Sequence, residues 1–248
     1  MIAQRKYEEM ALCNGGIFIM TIKIRVFTDL GQQMEENQDA FSISMDQKGA
    51  IVALCDGVGG YSKGKETATF VSKAVIKEMK NSKMSLDQIF KIVNQEVISN
   101  DYGYTTLAVV EINLEKQLIL FGNSGDTRIY LINNKLEQLT IDHTTQNQLM
   151  SNGFEKDMAI FFRKLTSCFG KTDKMEFFVG EKVLDEDSLL VLASDGGWEL
   201  LEVHDEWKRI IQFKTAQERE DYLFEEMQYL KKLSDDNITM ISISFSAN

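Results

Sequence analysis

Residues 50–60 read AIVALCDGVGG: six small or apolar residues, then Asp56, then a glycine-rich bend. Such a run is a buried strand that delivers a carboxylate to the edge of a sheet, where a ligand binds. Upstream, FSISM (Phe41–Met45) alternates with the period of a strand and DQKG (Asp46–Gly49) supplies a turn, so the two runs predict a hairpin. Asp39 and Asp56 then stand together at its open end.

The same arithmetic recurs. Thr105–Ile112, a turn at 113–116 and Gln117–Phe121 predict a second hairpin, followed by Asn123-Ser124-Gly125-Asp126. Thr127–Ile132 and Leu136–Leu139 predict a third, flanked by Asp126 and Asp142. A fourth is expected to join Glu176–Val183 to Ser188–Ala193 and to deliver Asp195, and a final strand, Ile238–Phe245, follows Asp235-Asp236-Asn237. Antiparallel neighbours place the end of one strand beside the start of the next, so Asp39, Asp56, Asp195 and Asp236 converge on one edge.

Amphipathic helices are expected at 65–80, at 86–99 behind a Ser85/Gln88 capping box, at 145–152 before Gly153, and at 205–213 and 216–233. The first two read as a helical hairpin packed on a sheet. Residues 152–174 are the least patterned and read as a flap beside the site. Residues 1–16 read as a polar segment ending in Gly15-Gly16, either a frayed helix or a stretch upstream of a start at Met20. Residues 1–20 are accordingly set apart as an extension of unknown role and 21–248 as one domain.

Composition excludes several functions. A net charge of −11 disfavours nucleic-acid partners, whose affinity comes largely from Lys and Arg neutralising phosphates. Two histidines and no CxxC pair argue against zinc. Three cysteines, one inside the apolar run at Cys55, argue against a disulfide framework. No stretch approaches the length of a membrane span. The expectation is a cytoplasmic monomer with no nucleic-acid or membrane partner.

One Asp-Gly is ordinarily a turn, but three carboxylates abutting hydrophobic strands ask for compensation. Hard divalent cations with oxygen ligands, Mg²⁺ or Mn²⁺, suit a site rich in Asp and poor in His and Cys. The ordered set ENQDAF (36–41), CDGVGG (55–60), GYTTLAVV (103–110), NSGDTRIYLI (123–132), LTIDHT (139–144), LTSCFG (165–170), LASDGGWELL (192–201) and SDDNIT (234–239) resembles the metal-dependent Ser/Thr protein phosphatases of the PPM or type 2C family. The resemblance implies an α+β fold, an α-β-β-α sandwich of two antiparallel sheets flanked by helices. It implies two Mn²⁺ or Mg²⁺ ions at one end of the sandwich. By position, Asp56 bridges both, the Gly57 carbonyl binds one, Asp195 and Asp236 complete the other, Asp39 holds metal-bound waters, and Asp126 with Glu199 binds a third. Its reaction is attack of a metal-activated water on a phosphoserine or phosphothreonine ester. The implied partner is a phosphorylated protein, either the target of a Ser/Thr kinase or the kinase itself.

This chain departs from the family pattern at three positions. Met34 stands where a phosphate-binding Arg is common, leaving Arg25 or Lys23 to substitute. Val58 replaces a histidine assigned as general acid in eukaryotic members. Glu199 replaces an Asp. Among competing readings, GGYSKGKE (59–66) nearly fits a nucleotide-binding P-loop but carries Glu66 where Ser or Thr must hold Mg²⁺. Ser124 lacks the frame of a serine hydrolase. His143, Trp198 and Trp207 read as structural. The runner-up is a non-catalytic module of the same fold that binds phosphoproteins, suggested by Met34.

Overall fold

The computed structural model describes residues 3–12, 19–59, 63–155, 162–185 and 187–247. Eleven strands fall into two antiparallel sheets. The first is ordered β1 (Ala3–Leu12), β2 (Ile19–Asp29), β11 (Ile238–Ala247), β10 (Leu189–Ala193), β7 (Arg128–Ile132) and β8 (Leu136–Gln138). The second is ordered β3 (Ala40–Asp46), β4 (Gly49–Cys55), β5 (Leu107–Asn113), β6 (Leu118–Ser124) and β9 (Phe178–Val183). Helices α1 (Gly64–Asn81) and α2 (Leu86–Ser99) cover the second sheet. Helices α4 (Asp195–Val203), α5 (Glu206–Ile210) and α6 (Ala216–Leu230) cover the first, and α3 (Thr145–Ser151) lies outside both layers. This is the expected α-β-β-α sandwich.

The strand period of two sorts side chains between the layers. In β4, Val52 and Leu54 point into the core between the sheets, while Ile51, Ala53 and Cys55 pack under α1 and α2. In β2, Ile22, Ile24 and Val26 join that central core and Phe27 turns outward to meet Phe224 of α6 edge-on at 6.4 Å. β4 is buried on both faces, which is why its sequence reads as a continuous apolar run.

Three of the four expected hairpins form: β3–β4, β5–β6 and β7–β8. The fourth does not. β9 pairs with β6 in one sheet and β10 with β7 and β11 in the other, so the two consecutive strands belong to different sheets. Leu184 enters the central core and its amide donates to the Gln117 carbonyl at 2.9 Å. A short polar loop looks the same in sequence whether it closes a hairpin or changes layer.

At the N-terminus, residues 3–12 form a strand rather than a frayed helix. Ten residues pair along the free edge of β2, and that backbone pairing outweighs the local preference of a stretch made largely of good helix formers such as Ala, Glu, Met and Leu. The last expected helix stops at Leu230 and tightens into a single 3₁₀ turn at Lys231–Leu233. α4 was not foreseen, because Gly196 and Gly197 in its first turn hide a helical start. Part of the expected flap, residues 156–161, lies outside the described residues, as do Gly60, Tyr61 and Ser62 of the P-loop-like segment. Among the described residues no helix is long and apolar enough to cross a membrane.

Leu54 is fully buried two residues before Asp56. Leu54→Ala is expected to cost about 2–5 kcal/mol. At roughly 2–4 °C per kcal/mol for a chain of this size, calorimetry should show a large drop in Tm.

Candidate active site

The site sits where both sheets end. β3 begins at Ala40 and β4 ends at Cys55, and these two residues are register partners, so Asp39 and Asp56 flank each other. In the other sheet Ala193 of β10 opposes Met240 of β11, with Asp195 and Asp236 just beyond the paired residues. Local hydrogen bonds hold each position. The Asp56 amide donates to Thr106 Oγ1 at 3.0 Å, and its carbonyl accepts from the Thr106 amide at 2.9 Å and Thr105 Oγ1 at 2.8 Å. Ser194 Oγ donates to Asp39 Oδ2 and accepts from the Thr239 amide, both at 2.9 Å. Asn237 fastens the 30–38 loop: its Oδ1 accepts from the Gln38 amide and its Nδ2 donates to the Leu30 carbonyl, each at 2.8 Å.

Two glycines permit the close approaches. A Cβ on Gly57 would lie 2.6 Å from the Gly64 backbone at the start of α1. Gly31 has φ +79°, and a Cβ there would sit 2.2 Å from the Asp236 carbonyl oxygen. The 30–38 loop therefore packs directly on the segment carrying Asp236.

The electrostatics record the crowding. Burial pushes Asp39 up to about 7, with Asp195 and Asp236 adding repulsion against the lowering effect of the Thr239 and Ser194 hydroxyls. Burial raises Asp56 well above the carboxylate range, and Asp195, Asp39 and Asp126 add to it. Asp126 is raised by burial, then by Asp195 and Asp142. Asp195 reaches about 6 through burial and Asp236, eased by a hydrogen bond with Asp56. The structure thus brings together five expected positions, Asp39, Asp56, Asp126, Asp195 and Asp236. Glu199 stands to one side, ion-paired with Arg163, but still repels Asp195.

Asp56, Asp126, Asp195 and Asp236 open into a cavity of about 810 Å³ that Met34, Gly57 and Val58 also line. Arg163, Lys164 and Lys171 are its cations among the described residues. Sequence reasoning missed all three, although cations in an otherwise unpatterned stretch of an acidic chain were a usable signal. Arg25 and Lys23, considered as substitutes for the missing Arg, are elsewhere. They lie beneath α6, where Lys23 meets Glu220 at 2.9 Å and Arg25 meets Asp221 at 2.7 Å. His143 and both tryptophans are structural as expected: His143 Nδ1 lies 3.3 Å from the Gly125 carbonyl, and Trp198 Nε1 donates to the Asp126 carbonyl at 2.9 Å.

The donor set suits a hard divalent cation. Asp39 Oδ1 is buried with no hydrogen-bond partner, as is Gln38 Oε1. Among the described residues, no three His, Cys, Asp or Glu side chains are already closed into a coordinating cluster. One reason is visible: Asp195 and Asp236 each turn an oxygen back onto the following backbone amide, at 2.7 Å in both cases.

Residues 31–233 match the family model for protein phosphatase 2C. The chain belongs to that family and is, as a member, a metal-dependent protein serine/threonine phosphatase acting on phosphoproteins. It is 27% identical over 192 residues to a serine/threonine phosphatase stp of Listeria welshimeri, covering 68% of this chain and 75% of the relative. It is 25% identical over 246 residues to the stp of Listeria monocytogenes serotype 4b, covering 87% and 93%. The crystal structure of the serine/threonine phosphatase Stp1 from Staphylococcus aureus superposes with a TM-score of 0.77 at 24% identity, covering 95% of this chain and 97% of that one, a likeness of fold.

Asp56→Asn removes one of the crowded like charges. In EDTA the variant is expected to melt above the wild type, by roughly 2–4 °C for each kcal/mol of repulsion relieved. Mn²⁺ should raise the Tm of the wild type only, as read by scanning fluorimetry. A variant that melts lower in EDTA would contradict this account of the site.

Proposed function

We propose that this chain hydrolyses phosphoserine and phosphothreonine esters on proteins, using two Mn²⁺ or Mg²⁺ ions held by its acidic cluster. The observation that carries this is the gathering of Asp56, Asp126, Asp195 and Asp236 in the lining of one open cavity, with buried Asp39 close enough to raise Asp56. Asp56, the Gly57 carbonyl, Asp195 and Asp236 are the residues that would hold the ions, with Asp126 and Glu199 available to a third. Ions bound there supply positive charge to the phosphoryl oxygens and lower the pKa of water.

The remaining work falls to the chain. Arg163, Lys164 and Lys171 draw the substrate's dianion into an otherwise negative cavity. Asp39, fixed through Oδ2 by Ser194, keeps Oδ1 free to accept a hydrogen bond from the attacking water. Asn237 holds the 30–38 loop, and with it Met34, against the acidic segment. Val58 carries no proton, so the leaving serine or threonine oxygen takes its proton from solvent. The proposal extends to a monomer working in the cytoplasm, on a target of a Ser/Thr kinase or on the kinase itself. A purely phosphoprotein-binding role is disfavoured, because it would keep a costly cluster of like charges without using it.

Hydrolysis of p-nitrophenyl phosphate with Mn²⁺ tests the reading. Asp56→Asn and Asp236→Asn should each lose roughly a hundredfold or more in kcat. Equal rates in all three proteins, or no rate in any, would sink it. Met34→Arg adds a cation to the cavity wall and should lower KM more than it changes kcat; an unchanged KM removes the idea that Met34 weakens phosphate grip.

A further inference from the structure

Beside the catalytic cavity runs a groove of about 360 Å³ between β8 and α3, and Arg163 lines both. Its floor is polar but electrically closed. Arg128 pairs with Asp142 at 2.6 Å and with Glu202 at 3.4 Å, and Gln138 Nε2 and Asn147 Nδ2 each donate to Asp142, at 2.9 Å. The guanidinium of Arg128 also lies flat on Trp198, 3.3 Å from the ring centroid. A floor whose charges are already spent on one another selects no ionic ligand.

The walls are different. α3 buries none of its seven residues. Ile141 and Met150 line the groove at 46% and 38% exposure. Phe154 and Phe162 are half exposed on the segments tied to the two ends of α3, the Phe154 amide bonded to Leu149 and the Lys164 carbonyl bonded to the Thr145 amide. Ile141 and Met150 thus put two exposed large apolar side chains on the groove itself, with two more exposed on the segments adjoining α3.

We infer that this groove docks the substrate polypeptide next to the phosphoresidue, taking one aliphatic side chain of that segment between Ile141 and Met150. The inference rests on the phosphatase reading, since its occupant is the chain whose phosphate enters the adjoining cavity. Continuity through Arg163 identifies the occupant. A polypeptide whose phosphate reaches the cavity must leave along one of its rims, and this one offers exposed Ile141 and Met150 over a floor whose charges are paired. Selection for an aliphatic neighbour follows from burying Ile141 and Met150 against it.

The test uses fluorescein-labelled nine-residue phosphothreonine peptides in which a single Leu is scanned from four residues before to four after the phosphothreonine in a Gly/Ser background. Binding is read by stopped-flow fluorescence polarisation with Mn²⁺ present, in the interval before turnover, so that the phosphate meets the metal-loaded cavity. One Leu position should bind the wild type at least fivefold tighter than the all-Gly/Ser peptide, and Ile141→Asp and Met150→Asp should each abolish the preference. A flat scan, or a preference that survives both variants, overturns the inference. So does a wild type that elutes as a dimer and variants that elute as monomers, since the rim then meets a second copy. p-Nitrophenyl phosphate turnover with Mn²⁺, measured alongside, should stay within twofold in both variants, which shows that they fold. A wild type that binds the Leu peptides selectively but turns over no ester fails the phosphatase reading and not the groove.

Discussion

The structure depends on one electrostatic constraint: carboxylates from both sheets are brought to a single point in surroundings that penalise their charge. Burial raises Asp39, Asp56, Asp126 and Asp195, and Asp195 then adds repulsion to the other three. Such an arrangement persists only if the scaffold holds it. Three of the strands that end there, β4, β10 and β11, have a neighbour on each side, so none can retreat without breaking two ladders. Thr105, Thr106 and Ser194 then satisfy the backbone and one carboxylate oxygen where the strands stop.

Much of this was legible in sequence, and the reason is periodicity. AIVALC cannot be other than a strand buried on both faces, and FSISM before it and DGVGG after it fix a hairpin with two carboxylates at its mouth. The capping box at Ser85 appears as expected, with the Ser85 amide donating to Gln88 Oε1 at 3.0 Å. What escaped was information carried by the third dimension. The link from β9 to β10 has the length of a hairpin turn but changes sheets, as the pairings of the two strands and the burial of Leu184 between the layers show. Lys23 and Arg25 looked available for phosphate because strand alternation gives a face without saying what covers it. Their face meets α6, where fully buried Glu220 lies 2.9 Å from Lys23. β1 was misread because the free edge of β2 is a partner that local composition does not announce.

The cavity reconciles an acidic chain with an anionic substrate. Arg163, Lys164 and Lys171 come from the stretch with the weakest secondary-structure signal, so positive charge enters the site from its least regular wall while the negative charge is held by its most regular strands. Arg163 is shared out further, paired with Glu199 and close to Trp198, whose indole NH supports Asp126. One cation therefore touches the cavity, the groove beside α3 and the support of an acidic residue, making this wall the place where substrate contact and site geometry meet.

The pairing of β2 with β11 joins residues about as far apart in the chain as the molecule allows: Ile238 faces Asp29 and Ala247 faces Met20. On a ribosome, β2 emerges long before its inner neighbour β11, exposing Ile22, Ile24 and Val26 meanwhile. Asp236 arrives on the same late segment. A truncated nascent chain is thus without both the strand that closes the first sheet and one carboxylate of the cluster, so maturation of the sheet and completion of the acidic site are a single event in biosynthesis.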